Sequence, residues 1–250
     1  MPDLRTTLCG IALQTPFILA SGPLSYDGEA ILRAHRAGAA AVVTKTICTQ
    51  PARNPISHIA KLPTGLLNSE QWSDLPAEAW LDREIPLAKD GGATVIASVR
   101  MPPERLRAFV QRLAAVGVDA VEICSYEAEE MVPMVAAVST SVSVPVLAKV
   151  SANWPNVVDV GRRCVDAGAA GITATDSIGP ALRLDVEQRA PRLGSGVGWL
   201  TGTPIFPIAL RVVLVGQDGL NRVGQGLGVA LGNHAAAAPL DVDVAGHVGG

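Results

Sequence analysis

The sequence is short of three things, and each shortage removes a class of function. Its four cysteines, Cys9, Cys48, Cys124 and Cys164, are scattered without a CxxC pair or a Cys/His ligand spacing, so neither a zinc nor an iron–sulfur site is indicated and a reducing compartment fits. It lacks a long hydrophobic run. Arg5, Thr6, Thr7 and Gln14 break up the N-terminal segment, and no stretch approaches the roughly 18 apolar residues of a membrane span; a cytoplasmic location is the expectation. It also lacks a basic excess. With a net charge of -3, nucleic acid and anionic membrane surfaces are poor partners, and the expected ligand is a small molecule.

What the sequence does have is length and a repeated unit. At 250 residues, 48% of them hydrophobic, it is long enough for one α/β barrel domain. The unit is a helical stretch, a glycine in a small-residue turn, and a short apolar strand ending in a polar residue. Residues 37–45, 116–124 and 167–176 are three copies. Strands apolar throughout are buried on both faces, which means a parallel sheet under helices. The pattern predicts six strands, near 16–20, 40–45, 93–98, 119–124, 145–149 and 171–175. Helices are predicted over 27–37, 103–116 and 156–167; in the second, Leu106, Phe109, Val110 and Leu113 share one face. Thr6–Leu8 and Ile11–Leu13 read as a hairpin around Gly10. The segment 46–92 is too long for a simple connection, and such loops are usually functional. Strand ends carry Ser21, Gly22, Lys45, Ser98, Cys124, Ser125, Lys149, Asp176 and Ser177, where barrels gather their chemistry.

Beyond residue 215 the pattern fades. Glycine and alanine make up nearly half of residues 216–238, with no aromatic residue and no lysine, and apolar positions follow no clear period. The expected organisation is therefore an incomplete (β/α)8 TIM-type barrel over residues 1–215, with an irregular, poorly ordered tail over 216–250.

Certain strand ends add a resemblance. Ala20-Ser21-Gly22, Thr44-Lys45-Thr46, Asn54-Pro55, Leu67-Asn68, Ala148-Lys149-Val150 and the run Gly198–Gly202 with Ile205 and Pro207 resemble the dihydroorotate dehydrogenase family. The soluble class and the related flavin domain of dihydropyrimidine dehydrogenase are the nearest in kind. The resemblance covers roughly residues 4–214. It implies an FMN-dependent oxidoreductase of pyrimidine metabolism acting on the CH–CH bond of a dihydropyrimidine. It implies FMN contacts at Ala20, Ser21, Gly22, Lys45, Lys149, Ser177, Gly198 and Gly202, and substrate contacts at Lys45, Asn68, Asp176 and Ser177. The hairpin would close the bottom of the barrel. A homodimer or an electron-transfer partner subunit would complete the assembly.

The chemistry of the residues fits a flavin in part. Glycine permits close backbone approach at Gly22, and a lysine ending a buried strand, as Lys149 does, supplies a cation for a reduced ring. Three departures stand against a full match. Aligned on Glu122, Cys124 replaces the family's substrate asparagine and Glu127 falls where the family carries a Cys or Ser base. Glu127, Cys124 and Ser125 are the candidate catalytic residues, although 127–130 reads equally as the acidic first turn of a helix. Asp176 replaces a neutral amide, which disfavours an anionic substrate such as dihydroorotate and favours an uncharged dihydropyrimidine. The glycines that would cradle the FMN phosphate are not recognisable after residue 215. Two rival readings follow: a non-catalytic barrel remnant or interaction subunit, and a flavin-free lyase using Lys45 or Lys149 as a Schiff-base amine.

Overall fold

A computed structural model describes residues 3–220 and 228–230. Six parallel strands lie side by side in chain order: β1 (Ile18–Leu19), β2 (Ala41–Val43), β3 (Val95–Arg100), β4 (Ala120–Cys124), β5 (Val146–Val150) and β6 (Gly171–Ala174). The sheet curls into a half barrel of TIM type. A seventh short strand, β7 (Gly228–Ala230), pairs in parallel with β6. The sequence pattern predicts six strands and not this one, because glycines flank the short apolar stretch and interrupt its periodicity.

Each of the first six strands is followed by a helix: α1 (Gly28–Arg36), α2 (Ile85–Asp90), α3 (Pro103–Ala115), α4 (Ala128–Ser139), α5 (Val157–Asp166) and α6 (Phe206–Leu220). The start of α1 is locally encoded. The Asp27 carboxylate accepts from the backbone N–H of Ala30 at 2.7 Å and so caps α1. In α3 the buried residues are Leu106, Phe109, Val110 and Leu113, as the helical spacing requires. Helix α6 runs past residue 215 to Leu220. Most of the expected irregular tail, residues 221–227 and 231–250, lies outside the described residues.

Alternation along the strands makes two cores. Val42, Val95, Ala97, Val121, Ile123 and Ala148 face outward and pack under the helices. Their neighbours Ala41, Val43, Ile96, Ala120 and Leu147 face inward and pack on Leu8 and Leu13. Those two leucines belong to the hairpin of Thr6–Leu8 and Ile11–Leu13, which plugs the amino-terminal end of the barrel. The floor is tight: truncating Leu147, 2% exposed, to alanine would cost about 2–5 kcal/mol.

One residue pair further along the strands, the interior turns polar. Ser98, Glu122, Lys149 and Thr173 are all buried, and the Thr173 hydroxyl donates to Glu122 Oε2 at 2.9 Å. The interior is thus apolar at one end and charged at the other, and the charged end is where a ligand can be addressed.

That end carries its own roof. Ile178–Ala181, Gly198–Gly202, Gly65–Asn68 and Ile59–Lys61 form a four-stranded antiparallel sheet. It draws on the long segment 46–92 and on the chain after β6. Close pairing depends on glycine: a Cβ on Gly65 would sit 2.3 Å from the Thr201 carbonyl oxygen, and one on Gly198 would sit 2.6 Å from Leu193 Cδ1. Among the described residues no helix is long and apolar enough to cross a membrane, and no group of three or more His, Cys, Asp or Glu is placed to hold a metal ion.

Candidate functional site

Between the polar strand ends and the roof lies a cavity of about 770 Å³. Ala20, Ser21, Gly22, Lys45, Asn68, Cys124, Lys149, Asp176 and Ser177 all line it. Nine of the residues singled out in the sequence, from six separate chain segments, therefore meet at one place. The other four do not line it. Ser125 is buried and its hydroxyl donates to Glu130 Oε2 at 2.5 Å. Glu127 is exposed at the start of α4, where its backbone N–H donates to Ser125 Oγ at 3.0 Å. Gly198 and Gly202 sit in the roof strand paired with Gly65–Asn68, and Gly202 has a φ of 91°, which favours glycine.

Two buried ion pairs dominate the electrostatics. Lys149 Nζ lies 3.4 Å from Asp176 Oδ1, with both side chains largely buried. Burial opposes the ammonium, but the carboxylates of Asp176 and Glu122 outweigh it and push the Lys149 pKa up. Lys149 is therefore a fixed cation. Asp176 is further held by the Ser177 N–H at 2.8 Å and by the Cys124 thiol at 3.7 Å. Burial, reinforced by the Asp176 charge, raises the Cys124 pKa well above its usual value, so the thiol stays protonated and is a poor nucleophile.

The second pair went unnoticed in the sequence. Lys45 Nζ lies 2.6 Å from Glu70 Oε2, and Glu70 Oε1 lies 3.1 Å from His58 Nε2. The Glu70 backbone N–H donates to Asn68 Oδ1 at 2.7 Å. This occupies the Asn68 carbonyl and leaves the donors of its amide for a ligand.

A chain of hydroxyls and an aromatic group complete the lining. Ser21 Oγ and Thr46 Oγ1 are 3.1 Å apart, and Thr46 Oγ1 and Ser98 Oγ are 3.0 Å apart, tying the ends of three strands together. Trp72, Tyr126 and Trp199 come from three segments; ring centroids are 4.7 Å apart for the first pair and 5.3 Å for the second. All three rings line the cavity. They give a planar ligand an apolar, polarisable surface. In the sequence, Trp72 lies inside the oversized segment 46–92 and Trp199 inside the run Gly198–Gly202.

No family model matches the chain. Comparison with curated proteins is more informative. The dihydroorotate dehydrogenase B (NAD(+)) catalytic subunit of Pyrococcus abyssi is 31% identical over 226 residues, covering 84% of this chain and 74% of the relative. That of Thermoplasma volcanium is 30% identical over 228 residues, with 85% and 74% covered. That of Methanothermobacter thermautotrophicus is 29% identical over 226 residues, with 84% and 74% covered. This level of identity over most of both chains agrees with the half barrel and with the strand-end residues gathered at its cavity: the chain belongs to the dihydroorotate dehydrogenase family.

Proposed function

We propose that the chain is a flavin-dependent oxidoreductase acting on the CH–CH bond of a dihydropyrimidine, with FMN as the cofactor. The observation that carries this reading is the convergence of Ala20–Gly22, Lys45 and Lys149 on one cavity. The lining fits the ring of a flavin. The cavity volume is within the usual range for a cofactor site, about 300–1,000 Å³. A Cβ built on Gly22 would meet nothing within 4 Å, so the backbone there is open to close approach. The segment expected to cradle the phosphate lies outside the described residues, apart from β7.

When bound, the flavin supplies a two-electron acceptor for hydride. The residues of the chain do the rest. Lys149 holds a positive charge on the cavity lining, where it would favour a cofactor that gains negative charge on reduction. Lys45 places a second ammonium on the lining, and the free donors of Asn68 suit the acceptor edge of a pyrimidine ring. Asp176 sets the substrate class. Its carboxylate repels an anion seated beside it, so the preferred substrate is uncharged. Ser177 orients Asp176 through the 2.8 Å hydrogen bond. Both lysines are ion-paired cations, the opposite of what a Schiff-base nucleophile needs. Because the relatives are named as catalytic subunits linked to NAD(+), a second subunit that carries electrons onward is the proposed partner.

Titration with FMN, followed by flavin fluorescence, tests the reading. Saturable quenching is expected, followed by anaerobic bleaching of the bound flavin by dihydrouracil faster than by dihydroorotate. Absence of quenching by either FMN or FAD would exclude a flavin site, and faster bleaching by dihydroorotate would exclude the role given to Asp176.

A further inference from the structure

Glu70 and His58 sit where proton traffic can cross the wall of the cavity. The Glu70 side chain is 11% exposed and lines the cavity; that of His58 is 40% exposed. His58 Nδ1 lies 3.1 Å from the Pro55 carbonyl oxygen, and Nε2 lies 3.1 Å from Glu70 Oε1. A carbonyl oxygen can only accept, so Nδ1 carries a hydrogen. A carboxylate oxygen opposite Nε2 then needs one proton between the two, as imidazolium with carboxylate or as imidazole with carboxylic acid. Without that proton two lone pairs face each other at close range, and the pair becomes a proton acceptor.

We propose that Glu70 takes the proton released when the substrate is oxidised, and that His58 passes it to solvent. This rests on the oxidoreductase reading above. In the step, one C–H bond gives its hydrogen and electron pair to the flavin as hydride. The adjacent C–H bond gives its proton to Glu70, and its electron pair becomes the new C=C bond. The proton moves from Glu70 to His58 Nε2 and leaves the half-exposed ring for water. Glu70 and Asp176 are the carboxylates that line the cavity among the described residues. Both are ion-paired, Asp176 with Lys149 at 3.4 Å and Glu70 with Lys45 at 2.6 Å; the second oxygen of Glu70 is in addition joined to a histidine that reaches solvent. Lys45, past the end of β2, contacts Glu70 directly, and the other charged groups that line the same cavity are Arg33 of α1, Lys149 of β5 and Asp176 after β6. The proton-free pair is the form active in oxidation, so the rate should rise with pH to a plateau.

The test has two arms. In the ligand-free protein, ring ¹⁵N signals of His58, identified with His58→Ala, are followed across pH in the wild type and in Glu70→Gln; the titration should differ between them. In the FMN-loaded protein, Glu70→Gln should still bind FMN but slow anaerobic bleaching by dihydrouracil by about 10²- to 10⁴-fold. His58→Ala should lose the rising limb of the pH profile and recover it in added imidazole, a rescue that a purely structural role would not show. Wild-type bleaching by Glu70→Gln, or identical His58 titrations, overturns the relay while leaving the flavin reading intact. Failure of the wild type to bind FMN overturns the oxidoreductase reading and, with it, the destination assigned to the proton.

Discussion

Asp176→Asn should weaken the protein and strengthen its grip on an anion. The carboxylate sits 3.4 Å from the Lys149 ammonium, and at an effective dielectric of about 20 that separation is worth about 5 kcal/mol of attraction. Much of this offsets desolvation of the two groups, and removing one partner of a buried pair typically costs about 3–5 kcal/mol. Glu122 remains beside the ammonium, so the low end, about 3 kcal/mol, is the expected loss. Urea unfolding at pH 7 measures it. The sign of the pH dependence supports that choice: the Lys149 pKa is raised, so its contribution is complete below the unfolded value of about 10.4 and is lost only as pH rises through the folded value. Binding should move the other way. A substrate carboxylate about 6 Å from Asp176 is repelled by about 3 kcal/mol at the same dielectric, so the variant should bind orotate about 10²-fold more tightly. Calorimetric titration of orotate into flavin-loaded wild type and variant reads this directly. Unchanged stability would show that the pair is not buried as described. Unchanged or weaker orotate binding would show that Asp176 does not face the charge of the substrate.

Three further outcomes are expected. Burial pushes the Cys48 and Cys164 thiols up to about 12, so the folded state holds protons that the unfolded chain loses above about pH 8.5; stability should be full below that value and then fall with pH by up to about 1.4 kcal/mol per unit for each thiol, and an urea midpoint unchanged between pH 7.5 and 10 would contradict it. Gly198→Ala should loosen the roof, because its Cβ would meet Leu193 Cδ1 at 2.6 Å and the Asn68 carbonyl oxygen at 2.9 Å; the expected cost is about 1–3 kcal/mol, read by thermal unfolding, and wild-type stability would mean that the two strands separate without penalty. Cys9 is the half-buried cysteine while Cys48, Cys124 and Cys164 are buried, so a thiol reagent should modify one cysteine quickly in the native protein and the rest only on unfolding; peptide mapping that finds Cys124 modified first would refute the burial of the site.

The sheet was legible because its signal is local. Apolar strands such as Val146–Val150, bounded by turns and polar ends, announce a parallel strand wherever it packs, and six of them appear within about two residues of their expected positions. Strand-end residues such as Lys45, Lys149 and Asp176 were legible for the same reason, since the fold decides where the end of a strand points. Glu70 and His58 were not. Their partnership with Lys45 depends on a loop returning over the barrel, and no periodicity encodes that return. The roof was equally hidden: Gly198 and Gly202 carried an expectation of cofactor contact, yet the same glycines permit two strands to approach. A motif records that glycine is required, and only the fold shows what approaches it.

The roof has a consequence for how the protein is made. Its central pairing joins Gly65–Asn68 to Gly198–Gly202, partners more than a hundred residues apart along the chain. During synthesis the first roof strand emerges early and must wait while β3 to β6 are produced. Sheet contacts between successive strands can form in that interval, since each needs only the next βα unit. The cavity has no lid until Trp199 arrives. Until then the residues that later bound the site stay open to water, and the site closes only when Gly198–Gly202 reaches Gly65–Asn68.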